Sequence, residues 1–157
     1  MPITLAIALF AAIGLQQLPQ QLPCTPGRVT EVSRGKDYII TVCGVGPIGL
    51  RGVEPPIRSP ELFGDILGQK DIGPEALQFL STLLVGQRVT LTYDGYRMGD
   101  FVGRRYAYVY LPDKRFVNAE LISRGLGYAD RQGSHPMRDQ FLALEAKARQ
   151  AKVGVWS

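Results

Sequence analysis

A chain of 157 residues, 45% of them apolar and 20% charged, carries enough hydrophobic material for one core and too little length for two domains. The same composition excludes global disorder. A net charge of +4 favours anionic partners, nucleic acid or anionic lipid headgroups, without choosing between them.

The first charged side chain is Arg28. Pro2–Gly14 is apolar but shorter than the roughly 20 residues a membrane-crossing helix needs, and a Gln- and Pro-rich stretch follows it. Residues 1–14 therefore read as a secretory signal and 15–27 as a linker, with an uncleaved anchor or a hydrophobic arm packed on the domain as alternatives. This reading makes the protein an exported one, with no stable membrane insertion once the signal is removed, and the domain is expected to be a monomer. Cys24 and Cys43 are the only cysteines. Export permits them to pair, and two unlinked thiols remain the alternative. Neither sits among other Cys or His residues, so a thiolate metal site has no support. His135, the sole histidine, precedes Pro136 at a helix start, where an exposed loop or capping role is expected.

From Arg28 the pattern turns to strands. Arg28–Val32 and Tyr38–Cys43 alternate and are β-branched around Ser33–Lys36, which predicts a hairpin. A third strand is expected over Ile48–Val53 after a Gly44–Pro47 turn. Residues 54–73 are rich in Pro and Gly without a sustained period and read as a long crossing loop. Pro74 and Glu75 then open a helix whose Leu77, Leu80 and Leu84 form a stripe, ended by Gly86. Strands near Arg88–Tyr93 and Arg105–Leu111 follow, joined by a Gly-rich segment. Helices over Val117–Arg124 and Pro136–Ala151 close the chain, the latter lined by Met137, Phe141, Leu144 and Ala148, with Trp156 packing back on the body. Three strands, a helix, two strands and two helices define an α+β, mainly β fold: a five-stranded, partly open OB-fold barrel with three helices.

Several short words support a family resemblance: Leu50–Pro56 (LRGVEPP), Gly73–Ala76 (GPEA), Gly103–Leu111 (GRRYAYVYL), Val117–Leu126 (VNAELISRGL) and Gly154–Trp156 (GVW). Each is weak alone, but in register over residues 28–157 the chain resembles the staphylococcal nuclease (thermonuclease) family. The resemblance implies an OB barrel with helices beneath it and, in active members, a calcium-dependent phosphodiesterase acting on DNA and RNA. That chemistry needs a hard divalent cation held by carboxylates, a carboxylate to activate water, and two arginines to neutralise the phosphate.

Carried over residue by residue, the resemblance is incomplete. In the D-G-D-T-like turn, alignment on Gly35 puts Arg34 and Lys36 at the two aspartate positions. A positive charge ~4 Å from a divalent ion costs roughly 8 kcal/mol at an effective dielectric of ~20. A one-residue bulge would instead bring in Asp37 as a metal ligand. Gly49 stands at the position of the first arginine, Glu54 keeps the second metal carboxylate, and Ile57 replaces the general-base glutamate. Arg51, on the same strand face as Gly49, and Glu61, four residues past Ile57, are candidate catalytic rescues. Asp100–Arg104 keeps the D-x-x-G-R word, so Arg104 matches the second catalytic arginine, while Phe101 and Val102 replace the Lys and Tyr that hold nucleotide.

Three functional readings follow. The leading one is a catalytically degenerate domain, with no cofactor, that binds nucleic acid or another anionic ligand, with single-stranded nucleic acid or nucleotides as the candidate partners. Arg97, Arg104, Arg105, Lys114 and Arg115 would supply phosphate contacts, and Tyr96 and Phe101 base stacking. The second is a weakly active Ca2+-dependent endonuclease using Asp37, Glu54, Arg51, Arg104 and Glu61. The third is an exported structural or protein-interaction module.

Overall fold

The computed structural model describes residues 24–56, 72–95 and 105–157. The expected signal, most of the linker, Ile57, Glu61, Tyr96, Arg97, Phe101 and Arg104 lie outside the described residues.

The first hairpin pairs β1 (Val29–Arg34) with β2 (Tyr38–Val42); β1 runs two residues past its expected end, and β2 begins at the expected residue. Tyr38, Ile40 and Val42 are buried while Ile39 and Thr41 are only half-buried, the period of two expected of a strand with one face in a core. β3 (Gly46–Leu50) pairs antiparallel with β2, and β6 (Arg105–Tyr110) runs parallel to β3. β5 (Thr90–Thr92), shorter than expected, is antiparallel to β6. The sheet order is β1-β2-β3-β6-β5, not closed into a continuous ladder. Its two edges are nevertheless laced by backbone bonds: Val29 N–H to Gln87 O (2.9 Å), Gly86 N–H to Val29 O (2.8 Å) and Val89 N–H to Gly27 O (3.0 Å). The result is the partly open OB-like barrel the element order predicts.

The expected strand Ile48–Val53 is broken in two. Gly52 has φ of +76°, a conformation glycine adopts without penalty. It turns the chain into β4 (Val53–Glu54), which pairs with β7 (Tyr128–Ala129), a strand the pattern did not reveal. Two residues per strand leave too little alternation to read.

Helix α1 (Gly73–Leu84) buries Ala76, Leu80 and Leu84, with Leu77 half-buried, and carries Pro in its first turn. α2 (Val117–Ser123) buries Val117, Leu121 and Ile122. α3 (Arg138–Gln150) begins two residues after Pro136 and buries Phe141 and Ala148. A 3-10 turn over Gly154–Trp156 brings Trp156 against Tyr128, with ring centroids 5.3 Å apart, and under Arg149, whose guanidinium carbon is 4.0 Å from the ring. No helix among the described residues is long and apolar enough to cross a membrane.

Two tethers fix these layers. Cys24 and Cys43 are joined as a disulfide with Cα atoms 5.4 Å apart, the paired alternative of the two the sequence left open. Asn118 is fully buried. Its Oδ1 accepts the Val109 amide at 2.9 Å, and its Nδ2 donates to Arg51 O at 2.9 Å and Ala107 O at 3.3 Å. A single side chain thus fastens α2 to β6 and to the turn after β3.

Candidate functional site

The face expected to hold phosphate centres on Gly49. Its cross-strand partners are Ile39 on β2 and Tyr106 on β6. The Tyr106 ring lies directly over the glycine: a Cβ added to Gly49 would sit 2.5 Å from both Cδ1 and Cε1 of that ring. The space a side chain at position 49 would enter is filled by an aromatic ring from the neighbouring strand. Its hydroxyl donates to Asp37 Oδ2 at 3.0 Å, which holds the ring in place from the hairpin side.

The hairpin residues are arranged accordingly. Asp37 faces Tyr106 across the sheet, Lys36 is exposed, and Arg34 turns away toward the helices. Arg34 donates to Pro56 O at 2.9 Å, and its guanidinium packs so closely on Gly73 that no Cβ would fit there. Arg34 therefore joins the end of the β4 segment to the start of α1, and only a glycine permits that approach.

Glu54 lies on β4 opposite Tyr128. Although the residue as a whole is exposed, its carboxyl is raised above the usual range, first by desolvation and then by Asp130, Asp37 and Glu145, with Arg131 opposing. Asp37 thus contributes to the negative field at Glu54. No group of three or more His, Cys, Asp or Glu side chains that could hold a metal occurs among the described residues. A calcium ion takes six to eight oxygen ligands, of which Asp37 and Glu54 are the candidate carboxylates among the described residues.

Arg51 immediately follows β3. Its Nε donates to Asp94 Oδ2 at 2.9 Å and its Nη2 to Ser134 O at 3.0 Å, with both partners of the ion pair largely buried. His135 corrects the sequence expectation. It is buried rather than exposed, tilted against Phe141 with ring centroids 5.5 Å apart, with Nδ1 3.0 Å from the Tyr108 hydroxyl. The reason is Gly52: with no side chain at that turn, the imidazole packs on the backbone, where a Cβ would fall 2.6 Å from Cε1.

Of the expected strand-binding residues, Arg105, Lys114 and Arg115 are described. Arg105 begins β6, is exposed, donates to Val45 O at 3.2 Å, and sits 6.0 Å from the ring of Tyr93. Tyr93 is 48% exposed and is the one exposed large hydrophobic side chain among the described residues. Lys114 and Arg115 lie beyond the other end of β6, some 17 Å away at about 3.3 Å per residue. Arg115 pairs with Asp113 at 2.8 Å and with Glu120 at 3.8 Å. The structure therefore separates Arg105 from Lys114 and Arg115 rather than gathering them.

Tyr106, Asp94, Asp130 and Arg131 were not singled out by sequence. One signal was available: a glycine within a strand marks a close approach of another group, and Gly49 is such a glycine. The others depend on long-range packing that no local pattern reports.

An OB-like barrel with helices packed against it, in which Tyr106 on β6 links Gly49 on β3 to Asp37 of the first hairpin, defines a nuclease-fold domain. The family model of staphylococcal nuclease homologues matches residues 48–157, and the chain belongs to that family. An uncharacterized protein of Bacillus anthracis is 30% identical over 135 residues, covering 81% of this chain. This chain spans 62% of that relative's length.

Proposed function

We propose that this domain has lost phosphodiester cleavage and serves to bind an anionic strand, single-stranded nucleic acid being the partner its charge and aromatics suit. The observation that carries the reading is the Tyr106 ring over Gly49. The family's chemistry places a guanidinium there. In this chain the space holds a neutral phenol whose proton is already donated to Asp37. Arg51 is held by Asp94 and Ser134 instead. Without the first of the two cations on the phosphate, part of the charge that builds in the transition state has no counterpart.

Binding rests on different groups. The +4 net charge and the exposed Tyr93 beside Arg105 supply the two ingredients of sequence-tolerant strand binding, a cation for phosphate and a ring for a base. Export, suggested by the apolar start of the chain, is consistent with the Cys24–Cys43 bridge.

The experiment pairs two readouts on one preparation. Cleavage of single-stranded DNA is followed with calcium, with chelator, and for Arg104→Ala, and is expected to be indistinguishable from a blank in all three. Affinity for the same strand is expected to fall as salt rises, the signature of displaced counterions, and to weaken for Tyr93→Ala. Calcium-dependent cleavage abolished by Arg104→Ala would overturn the loss of activity; absence of any salt-sensitive binding would overturn the strand-binding role.

A further inference from the structure

The polar cluster beneath the β3–β4 turn holds the chain's single histidine in a state that suits one proton count. His135 is 7% exposed. Its ring lies against Gly52, Phe141 and Tyr108. The Tyr108 hydroxyl and His135 Nδ1 are hydrogen-bonded at 3.0 Å. A neutral imidazole satisfies that bond in either tautomer, because the hydroxyl can donate or accept. Nε2 is buried with no hydrogen-bond partner, and the Gly52 backbone lies flush against it.

A second proton has nowhere to go. In the imidazolium both ring nitrogens are donors, and the one on Nε2 is buried with no acceptor. The resulting imidazolium would face Arg51 on the turn after β3 and Arg138 on α3, both repelling it. Asp94 after β5 and Asp130 on the same loop would attract it, but Asp94 is committed to Arg51. Burial is the larger cause, and with the Arg51 charge it holds His135 below the ordinary imidazole range.

The same residue anchors a loop. The chain from Asp130 to Met137 is fixed to the turn by the Asp130 amide on Gly52 O at 3.0 Å, by Ser134 O on Arg51, and by the His135 ring itself. We propose that protonation of His135 releases the 130–137 loop from the β3–β4 turn, so that this loop is a proton-operated latch on that turn. The loop carries Asp130 and Arg131, two of the charges acting on Glu54. Unlatching it changes the field at Glu54 whether or not the domain binds a strand.

The sign follows from the depressed folded value. The latch is closed above the ordinary imidazole value of about 6.5 and is lost as pH falls through the lower value of the folded protein. Across that window the open fraction rises by up to tenfold per pH unit, the limit for one proton. Because His135 is the only histidine, its Cε1 proton gives one unambiguous NMR titration in the full chain. Amide-exchange protection of Asp130, corrected for the intrinsic pH dependence of exchange, is measured alongside Ile40 on β2 between about pH 7 and pH 5. Expected are a titration midpoint below 6.5, a falling protection factor at Asp130, and unchanged protection at Ile40. His135→Gln, which offers Tyr108 a carbonyl acceptor and does not titrate, is expected to remove the pH dependence. A midpoint at or above 6.5, constant protection at Asp130, or the same loss in His135→Gln would overturn the latch. Should that variant fail to fold, the titration and exchange of the parent chain decide the matter.

Discussion

Adding a single methyl group at Gly49 examines the arrangement on which the functional reading rests. In Gly49→Ala the new Cβ would lie 2.5 Å from two carbons of the Tyr106 ring, inside any tolerable separation. The ring cannot swing aside freely, because its hydroxyl is tied to Asp37 at 3.0 Å. Overpacking of this kind costs about 1–3 kcal/mol. Losing a hydrogen bond to a charged acceptor costs about 1.5–3 kcal/mol, and one or the other must be met. Against that, alanine is better than glycine in a strand by roughly 0.5–1 kcal/mol. The net expectation is a loss of roughly 0.5–2.5 kcal/mol. With a urea slope of about 1–3 kcal/mol per molar, the unfolding midpoint falls by roughly 1 M. In a Tyr106→Ala background the clash is gone and the same substitution should be neutral or stabilising. The two measurements with their parents form a double-mutant cycle whose coupling should exceed ~1 kcal/mol. A Gly49→Ala protein as stable as its parent, with no coupling to position 106, would refute the placement of the ring.

Three further outcomes follow from the same geometry. Cys24→Ser/Cys43→Ser opens a loop with a sequence separation of 19 and should destabilise by about 3 kcal/mol, measured by urea unfolding; reductant should lower the midpoint of the parent but not of the variant. Asn118→Ala orphans the Val109 amide and removes the bonds to Arg51 O and Ala107 O. It should cost about 2–4 kcal/mol, whereas an exposed control such as Asp139→Ala stays within roughly 0.5 kcal/mol. Glu145→Ala removes a buried carboxylate bonded to Arg131 and within 3.8 Å of Arg149. Both arginine partners are half exposed, so they re-solvate and the expected loss is modest, about 1–2 kcal/mol, read from the same unfolding curves.

Most of the barrel was legible because its strands are long enough to alternate and its helices long enough to show a stripe. β2 and α1 are examples: buried Tyr38, Ile40 and Val42 recur every second residue, and Leu80 and Leu84 every fourth. β4 and β7 were not legible, since their pairing is decided by the Gly52 turn and by where the loop after α2 returns. The candidate site divides in the same way. Gly49, Glu54 and Asp37 could be placed by motif, yet what surrounds them could not. Tyr106 reaches Gly49 through a parallel strand pairing across more than fifty residues of chain, and the Arg51–Asp94 pair spans 43 residues. His135 was misjudged because burial of an imidazole depends on the absence of a side chain at Gly52, which neither residue announces by itself.

The position of the disulfide has a mechanical corollary. Cys24 lies immediately before the stretch whose backbone laces the two sheet edges together, and Cys43 closes β2, an interior strand. Tension pulling on the chain from ahead of Cys24 is therefore delivered through a covalent link to the middle of the sheet, bypassing the few hydrogen bonds at Gly27 and Val29. The edge that would otherwise peel first is shielded from load, so a domain tethered by its leading end yields by shearing several strands at once instead of unzipping from its margin.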